Sequence, residues 1–453
     1  MSNFNSALSD FVFQSKYAKF LPEKGRKETY EESVDRIAQM HMTHLKNEYP
    51  HALENSEFCN DFLQAIESYR DKKVFGSQRA LQFGGEPILK RNERLYNCSF
   101  SYCDRLDVFK EIEWLLLAGA GVGISVEHQH IDKLPSFVDE LNKTSYSHVI
   151  EDSCEGWSFA IDALIKHYMY PDWAYPIFDF SQIRPNGAPI SGGFLAPGPE
   201  GLKKSLRQID DVLKNAYKDN SDHRLSSLNI ADIIAFEADS VLSGGLRRSA
   251  VSILFDPDDE LMFNSKIGNW WYENPQRGRY NASAVLEREE TSREVYEKLF
   301  KSTREYGEPG FVWRSDKREG FNPCFEIGFC PISPEGISGW QVCNLVSISG
   351  QEMTHEDFFY KACKDAATLA TVQATYMKFP FLGKVTEDII KNDPLIGVSI
   401  SGIMVNPDVL LDEDILKKGA EIVKFQNEKI ANMLGINKSS RCTCIKPEHH
   451  RAA

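Results

Sequence analysis

No apolar run in this sequence is long enough to cross a bilayer. The longest, Trp114 to Ala120, falls far below the roughly 20 residues a spanning helix needs. The opening residues, Met1-Ser2-Asn3-Phe4, have neither the basic start nor the apolar core of a signal peptide. Ten cysteines in 453 residues are too sparse for a secreted disulfide scaffold. They also lack the paired C-x-x-C or H-x-x-x-H spacing of a structural zinc site. These absences predict a cytoplasmic protein without a structural metal. Positive charge is not in excess either: the net charge of -14 argues against duplex nucleic acid or an anionic membrane as the main partner. A nucleotide remains compatible, because it needs only local Arg, Lys and backbone amides.

What is present describes an ordinary globular chain, 42% hydrophobic and 26% charged. Its length suits one large domain with an extension, or two to three smaller ones. Residues 11–48 carry helical spacing, with a charged start at Glu28-Thr29-Tyr30-Glu31-Glu32. Leu95 to Phe100 reads as a strand holding Cys98, and Asp107 to Leu117 as a helix. The glycines of Gly119-Ala120-Gly121-Val122-Gly123 follow a helix and precede a strand. That is the reverse of a dinucleotide-binding fingerprint, and it reads as a helix end with close helix–strand packing. Residues 131–180 look like a mostly helical excursion, followed by a Gly- and Pro-rich loop from Gly192 to Pro199. Helices are expected again from Thr291 to Tyr306, His355 to Tyr376 and Asp412 to Met433, with a strand and turn at Leu395 to Gly402. The lone C-x-C of Cys442 and Cys444 reads as two alternating strand residues.

One loop stands out as a candidate for binding anions. In Ser243-Gly244-Gly245-Leu246-Arg247-Arg248-Ser249, glycines free backbone amides and paired guanidiniums match phosphate oxygens. A solvated arginine pair is the competing reading. The next loop, Asn274-Pro275-Gln276-Arg277-Gly278-Arg279-Tyr280-Asn281, is turn-forming, basic and glycine-hinged, and an ordinary polar hairpin is one reading of it.

The chain is organised around Asn322-Pro323-Cys324-Phe325-Glu326. An extended backbone there, favoured by Pro323, sends an amide, a thiol and a carboxylate out on one face. Taken alone, the five residues read first as a turn around one buried cysteine. Two further contexts change that: Tyr96-Asn97-Cys98-Ser99-Phe100 and Gln341-Val342-Cys343-Asn344-Leu345. Together the three resemble the ribonucleotide reductases, whose catalytic loop carries Asn-x-Cys-x-Glu and whose flanking strands carry two partner cysteines.

The resemblance covers roughly residues 11–447. It implies a ten-stranded α/β barrel of two antiparallel five-stranded halves, with the catalytic loop threaded through the centre. Residues 1–90 form an N-terminal helical region, 91–453 the catalytic barrel and 131–180 an insertion within it. Cys324 is implied as the thiyl, Glu326 as general base on the 3′-hydroxyl and Asn322 as the holder of the sugar hydroxyls. Cys98 and Cys343 are implied as the dithiol that supplies two electrons, with Cys330 the rival partner. Asn97, Gly244, Gly245, Arg247, Arg248, Gln276, Arg277, Arg279, Lys446 and Pro447 are the expected substrate and effector contacts.

Ser15-Lys16-Tyr17-Ala18, Arg26-Lys27-Glu28-Thr29-Tyr30 and the insertion around Arg184-Pro185 are similar to the monomeric, triphosphate-reducing class II branch. Adenosylcobalamin is therefore the implied cofactor, and a class I catalytic subunit served by a dimetal radical subunit is the alternative. The implied partners are a ribonucleoside tri- or diphosphate, a deoxynucleotide effector and a thioredoxin-like or small dithiol reductant. A monomer is expected, with a dimer as the alternative, and no ATP cone. One departure stands out: Arg441-Cys442-Thr443-Cys444-Ile445-Lys446-Pro447 leads in the family to a phosphate loop, but Glu448-His449-His450-Arg451 follows here. A carboxylate there repels phosphate. The expectation is a split or reduced member, served by a separate C-terminal fragment or left as a nucleotide-binding remnant.

Overall fold

The computed structural model describes residues 2–190, 194–219, 223–242 and 250–446. The Gly-Arg loop from Ser243 to Ser249, Gly192-Gly193 and Pro447 lie outside these residues.

The central strands of the site's sheet are buried on both faces, as parallel strands covered by helices are. They are β1 (Val74–Phe75), β2 (Cys98–Tyr102), β3 (Gly121–Ser125), β4 (Val251–Phe255), β5 (Tyr280–Glu287), β6 (Gly310–Arg314), β7 (Gln341–Ser349) and β8 (Ile396–Ser401). The sheet order is β6-β5-β4-β3-β2-β7-β8, with β1 added to β7. β2 to β6 run parallel to their neighbours, and so do β7 and β8. The two sets meet antiparallel where β2 pairs with β7. This is the expected α/β barrel of two opposed halves. The first half has its five strands. In the second, the segment after β8 contributes one bridge, Thr443 to Val398, so ten strands are not reached among the described residues.

Helices surround the sheet: α1 (Ser2–Lys16), α2 (Tyr30–Glu48), α3 (Ser56–Arg70), α4 (Asp107–Ala118), α5 (Cys154–Met169), α6 (Ser227–Leu242), α7 (Glu356–Gln373) and α8 (Glu413–Leu434). The helical span expected over 11–48 is two helices. Pro22 and Gly25, which has φ 62°, break it, and α2 restarts behind a capping box made by Thr29 and Glu32. The N-terminal region is tied to the barrel. Val74 and Phe75 of β1 pair with Ile348 and Ser347, and Ser68 of α3 donates to Asp365 of α7.

The excursion at 131–180 is not mostly helical. Ser145–Val149 and Tyr175–Asp179 form a parallel pair with α5 as the crossover between them. The alternating, aromatic wording of both segments favours strands. The glycine run after α4 divides its work. Gly119 closes the helix with φ 86°. Gly123 lies inside β3, where a side chain would sit 2.5 Å from the Phe321 carbonyl oxygen. Its small size lets the hairpin described next lie against the sheet.

Candidate functional site

Gly320–Phe321 and Gly328–Phe329 form a short antiparallel hairpin, and Asn322 to Ile327 are its tip. The expected extended conformation is absent. Phe325 donates its N–H to the Asn322 carbonyl at 2.9 Å, closing a turn, and takes φ 60°. A left-handed conformation costs a non-glycine residue on the order of 1 kcal/mol, so packing has to hold it there. Phe325 stacks on Phe321 with ring centroids 6.1 Å apart. Asn322 is fully buried, and its Oδ1 accepts from the Ile327 N–H at 3.1 Å. The turn brings together side chains that an extended strand was expected to align.

On β2, the period of two sends Cys98, Phe100 and Tyr102 to the same side as Cys343 and Leu345 of β7. They form an interior cluster with Ile327, Phe329 and Leu395, separate from the main core. Cys343 stands directly opposite Cys98 in the antiparallel register. One ligand atom from each of Cys98, Cys324 and Glu326 lies within 4.8 Å of the other two. Cys98 and Cys343 are 5% and 0% exposed, whereas Cys324 is exposed.

The surroundings push these groups towards their protonated forms. Cys324 is pushed up by its hydrogen-bonding contact with Cys98, then by burial and Glu326, against Lys446. Burial also raises Glu326, opposed by the Asn322 amide, its own backbone and Lys446. For Cys98, contact with Cys324 acts downward, but contact with Cys343, burial and the charge of Glu326 outweigh it. For Cys343, contact with Cys98 also acts downward and is overridden by burial, Glu326, Cys444 and Cys324. A thiol held protonated is a hydrogen-atom donor before it is a nucleophile. Both Glu326 oxygens and Asn322 Nδ2 are buried with no hydrogen-bond partner among the described residues. Such groups mark a place for a polar ligand, and adjacent hydroxyls match an acceptor beside a donor.

The other expected residues divide. Lys446 acts on Cys324 and Glu326, and its backbone N–H donates to Ser399 Oγ at 3.1 Å. Asn97 serves the sheet, with its Oδ1 accepting from the Leu345 N–H at 3.3 Å. Arg277 makes two 3.0 Å bonds to Asp232 of α6, Gln276 donates to Asp232 at 3.1 Å and Arg279 pairs with Asp239. Those side chains anchor the loop to α6. Gly244, Gly245, Arg247 and Arg248 lie outside the described residues, as does Pro447. Cys330 sits apart, beside Tyr102 and Arg318.

Two features went unread in the sequence. Cys444 is packed against the interior cluster. A cavity of about 300 Å³ between the end of α4 and the start of α5 is lined by Arg91, Arg94, Arg184 and Trp157.

No family model matches the chain. An adenosylcobalamin-dependent ribonucleoside-triphosphate reductase of Lactobacillus delbrueckii subsp. bulgaricus is 26% identical over 476 residues, covering 86% of this chain and 61% of that protein. One from Lactobacillus acidophilus is 26% identical over 462 residues, with the same coverage. A B12-dependent class II ribonucleotide reductase structure superposes with a TM-score of 0.80 at 21% identity, over all of this chain and 76% of that one. The chain is a homologue of the ribonucleotide reductases. The class Id ribonucleotide reductase alpha subunit of Actinobacillus ureae shares the fold less closely, with a TM-score of 0.55 at 12% identity, over 97% of this chain and 71% of that one. The homologue spans less than two thirds of the length of these curated relatives, 61%. Among its described residues no helix is long and apolar enough to cross a membrane.

Proposed function

We propose that this chain reduces ribonucleotides, with triphosphates as substrates, to 2′-deoxyribonucleotides by thiyl-radical chemistry in the reducing environment of the cytoplasm. One observation carries the reading: three thiols and a carboxyl, drawn from three distant segments, converge inside the barrel. The relatives' names support the cofactor and the triphosphate. The residues also fit adenosylcobalamin, because the thiol that must meet it, Cys324, is exposed while its two partners are buried. When bound, that cofactor supplies a deoxyadenosyl radical able to take a hydrogen atom.

Within the chain, the Cys324 sulfur radical removes the 3′ hydrogen of the ribose. Glu326, raised by burial and unpartnered, takes the 3′-hydroxyl proton, while Asn322 Nδ2 donates to a sugar oxygen. The 2′-hydroxyl leaves as water with a proton from the Cys98–Cys343 pair. That pair closes to a disulfide, so two electrons and two protons reach the sugar and its water. Glu326 gives its proton back to the 3′ oxygen, and Cys324 then returns the 3′ hydrogen and recovers the radical. Lys446, whose charge acts on Cys324 and Glu326, is the proposed phosphate contact. The cavity at the insertion, where Arg184 pairs with Asp152 and Arg91 with Glu155, is the proposed place of a deoxynucleotide effector, and a small or thioredoxin-like dithiol resets the disulfide.

The test is anaerobic incubation of purified chain with adenosylcobalamin, ribonucleoside triphosphates and dithiothreitol, with and without a separately supplied C-terminal fragment of a relative. Deoxynucleotide and a coupled cobalt(II)–thiyl signal in electron paramagnetic resonance are expected. Bound triphosphate with no deoxynucleotide in either arm would contradict the reading, as would activity restored only by a metal-containing partner subunit.

A further inference from the structure

Cys442 and Cys444 sit on the segment that meets β8, yet the two side chains go to different places. Cys442 Sγ donates to Asn427 Oδ1 at 3.8 Å and to the Ser439 carbonyl at 3.6 Å, on the side of α8. Cys444 turns towards the interior cluster that holds Cys98 and Cys343. A glycine makes room for it. A methyl group on Gly397 would sit 2.5 Å from Leu345, 2.9 Å from Cys444 Sγ and 3.1 Å from Ile327. Leu345 is the register partner of Gly397, and Cys343 lies two residues before Leu345 on the same face. Cys444 also acts electrostatically on Cys343. Its burial is intermediate, while Cys343 and Cys98 are sealed in.

Building on the dithiol role proposed above, we infer that Cys444 is a relay thiol through which the buried Cys98–Cys343 disulfide is reset. The Cys444 thiolate attacks the Cys343 sulfur. The Cys343–Cys98 bond breaks, a Cys343–Cys444 bond forms and Cys98 leaves as a thiolate that takes up a proton. A dithiol from solution then attacks the half-buried Cys444 sulfur and frees Cys343. Its second thiol expels Cys444, so the external dithiol ends as the disulfide and the chain regains all three thiols. The exposed Cys324 also touches Cys98, but exchange there would occupy the thiol that starts the reaction.

The test needs neither nucleotide nor cofactor. Cys98→Ser removes the normal partner of Cys343. Mild oxidation of the full chain followed by peptide mapping is then expected to show a Cys343–Cys444 linkage as the main product. In the otherwise native chain, the oxidised pair is expected to be reduced by dithiothreitol about tenfold more slowly after Cys444→Ser, and at the original rate after Cys442→Ser. Cys444→Ala repeats the measurement should the serine perturb folding. Absence of the Cys343–Cys444 linkage in folded Cys98→Ser protein, or reduction at an unchanged rate in both Cys444 variants, overturns the relay. A chain that makes no deoxynucleotide but still forms this linkage defeats the proposed function and leaves the relay standing.

Discussion

Cys98 and Cys343 are register partners across the antiparallel seam where the two halves of the barrel meet. Every other strand contact on either side of that seam, β1 apart, is parallel. The seam thus puts two thiols from distant segments face to face, with Cys324 on the hairpin above Cys98.

Replacing either seam cysteine removes one half of the dithiol. Cys343→Ser is expected to bind triphosphate normally and to lose turnover by more than about 1000-fold, since no second thiol closes the disulfide. Nucleotide binding followed by calorimetry, beside product counting, checks this. A Cys343→Ser chain that turns over repeatedly would rule the pair out.

Glu326 gives a pH signature. Burial raises its carboxyl, and a general base works only when ionised. Activity is therefore expected to rise with pH through that raised value, on a limb that begins above the ordinary carboxylate range. Glu326→Gln is expected to lower the rate by about 100-fold to 10,000-fold, the usual weight of a general base, and to abolish the limb.

Asn322 carries both structure and ligand contact. Asn322→Ala deletes the acceptor for the Ile327 N–H and is expected to cost about 1–3 kcal/mol of stability, the penalty of a buried donor left unpaired. Activity should fall further than stability explains. Urea midpoints and turnover measured on the same preparation separate the two effects.

Close approach of the hairpin to the sheet depends on Gly320, where a methyl group would sit 1.9 Å from the Phe100 ring. Gly320→Ala is expected to destabilise the chain by about 1–3 kcal/mol through overpacking and to move Cys324 away from Cys98. Faster alkylation of Cys324, with the fold retained by circular dichroism, is the expected readout.

Glu113 of α4 and Glu237 of α6 are fully buried. Burial raises Glu113 to about 8. It pushes Glu237 well above the ordinary range, with Glu113 adding to the effect. Folded chains therefore bind more protons than unfolded ones between the ordinary carboxylate value and about 8, so stability falls as pH rises through that window. Glu237→Gln is expected to flatten the decline in Tm as pH rises from the ordinary carboxylate range towards about 8, the raised value of the neighbouring Glu113. An unchanged slope would contradict it.

The sequence showed the three cysteine contexts through their wording, and the barrel only through the family those contexts resemble. Three things were not legible, each for a tertiary reason. The Asn322–Ile327 turn depends on the Phe321–Phe325 stack, which strand periodicity cannot show. The anchoring of Gln276, Arg277 and Arg279 was hidden because their partners, Asp232 and Asp239, lie far away in sequence on α6. Cys442 and Cys444 looked alike, and only the glycine at 397 and the placement of α8 distinguish their surroundings.

The central claim is tested most directly by one anaerobic turnover of the fully reduced chain with adenosylcobalamin and triphosphate and no external reductant. Thiols are then counted and mapped. The account predicts one deoxynucleotide and one disulfide containing Cys343 per chain. Deoxynucleotide formed while Cys98 and Cys343 both remain open to alkylation would contradict it.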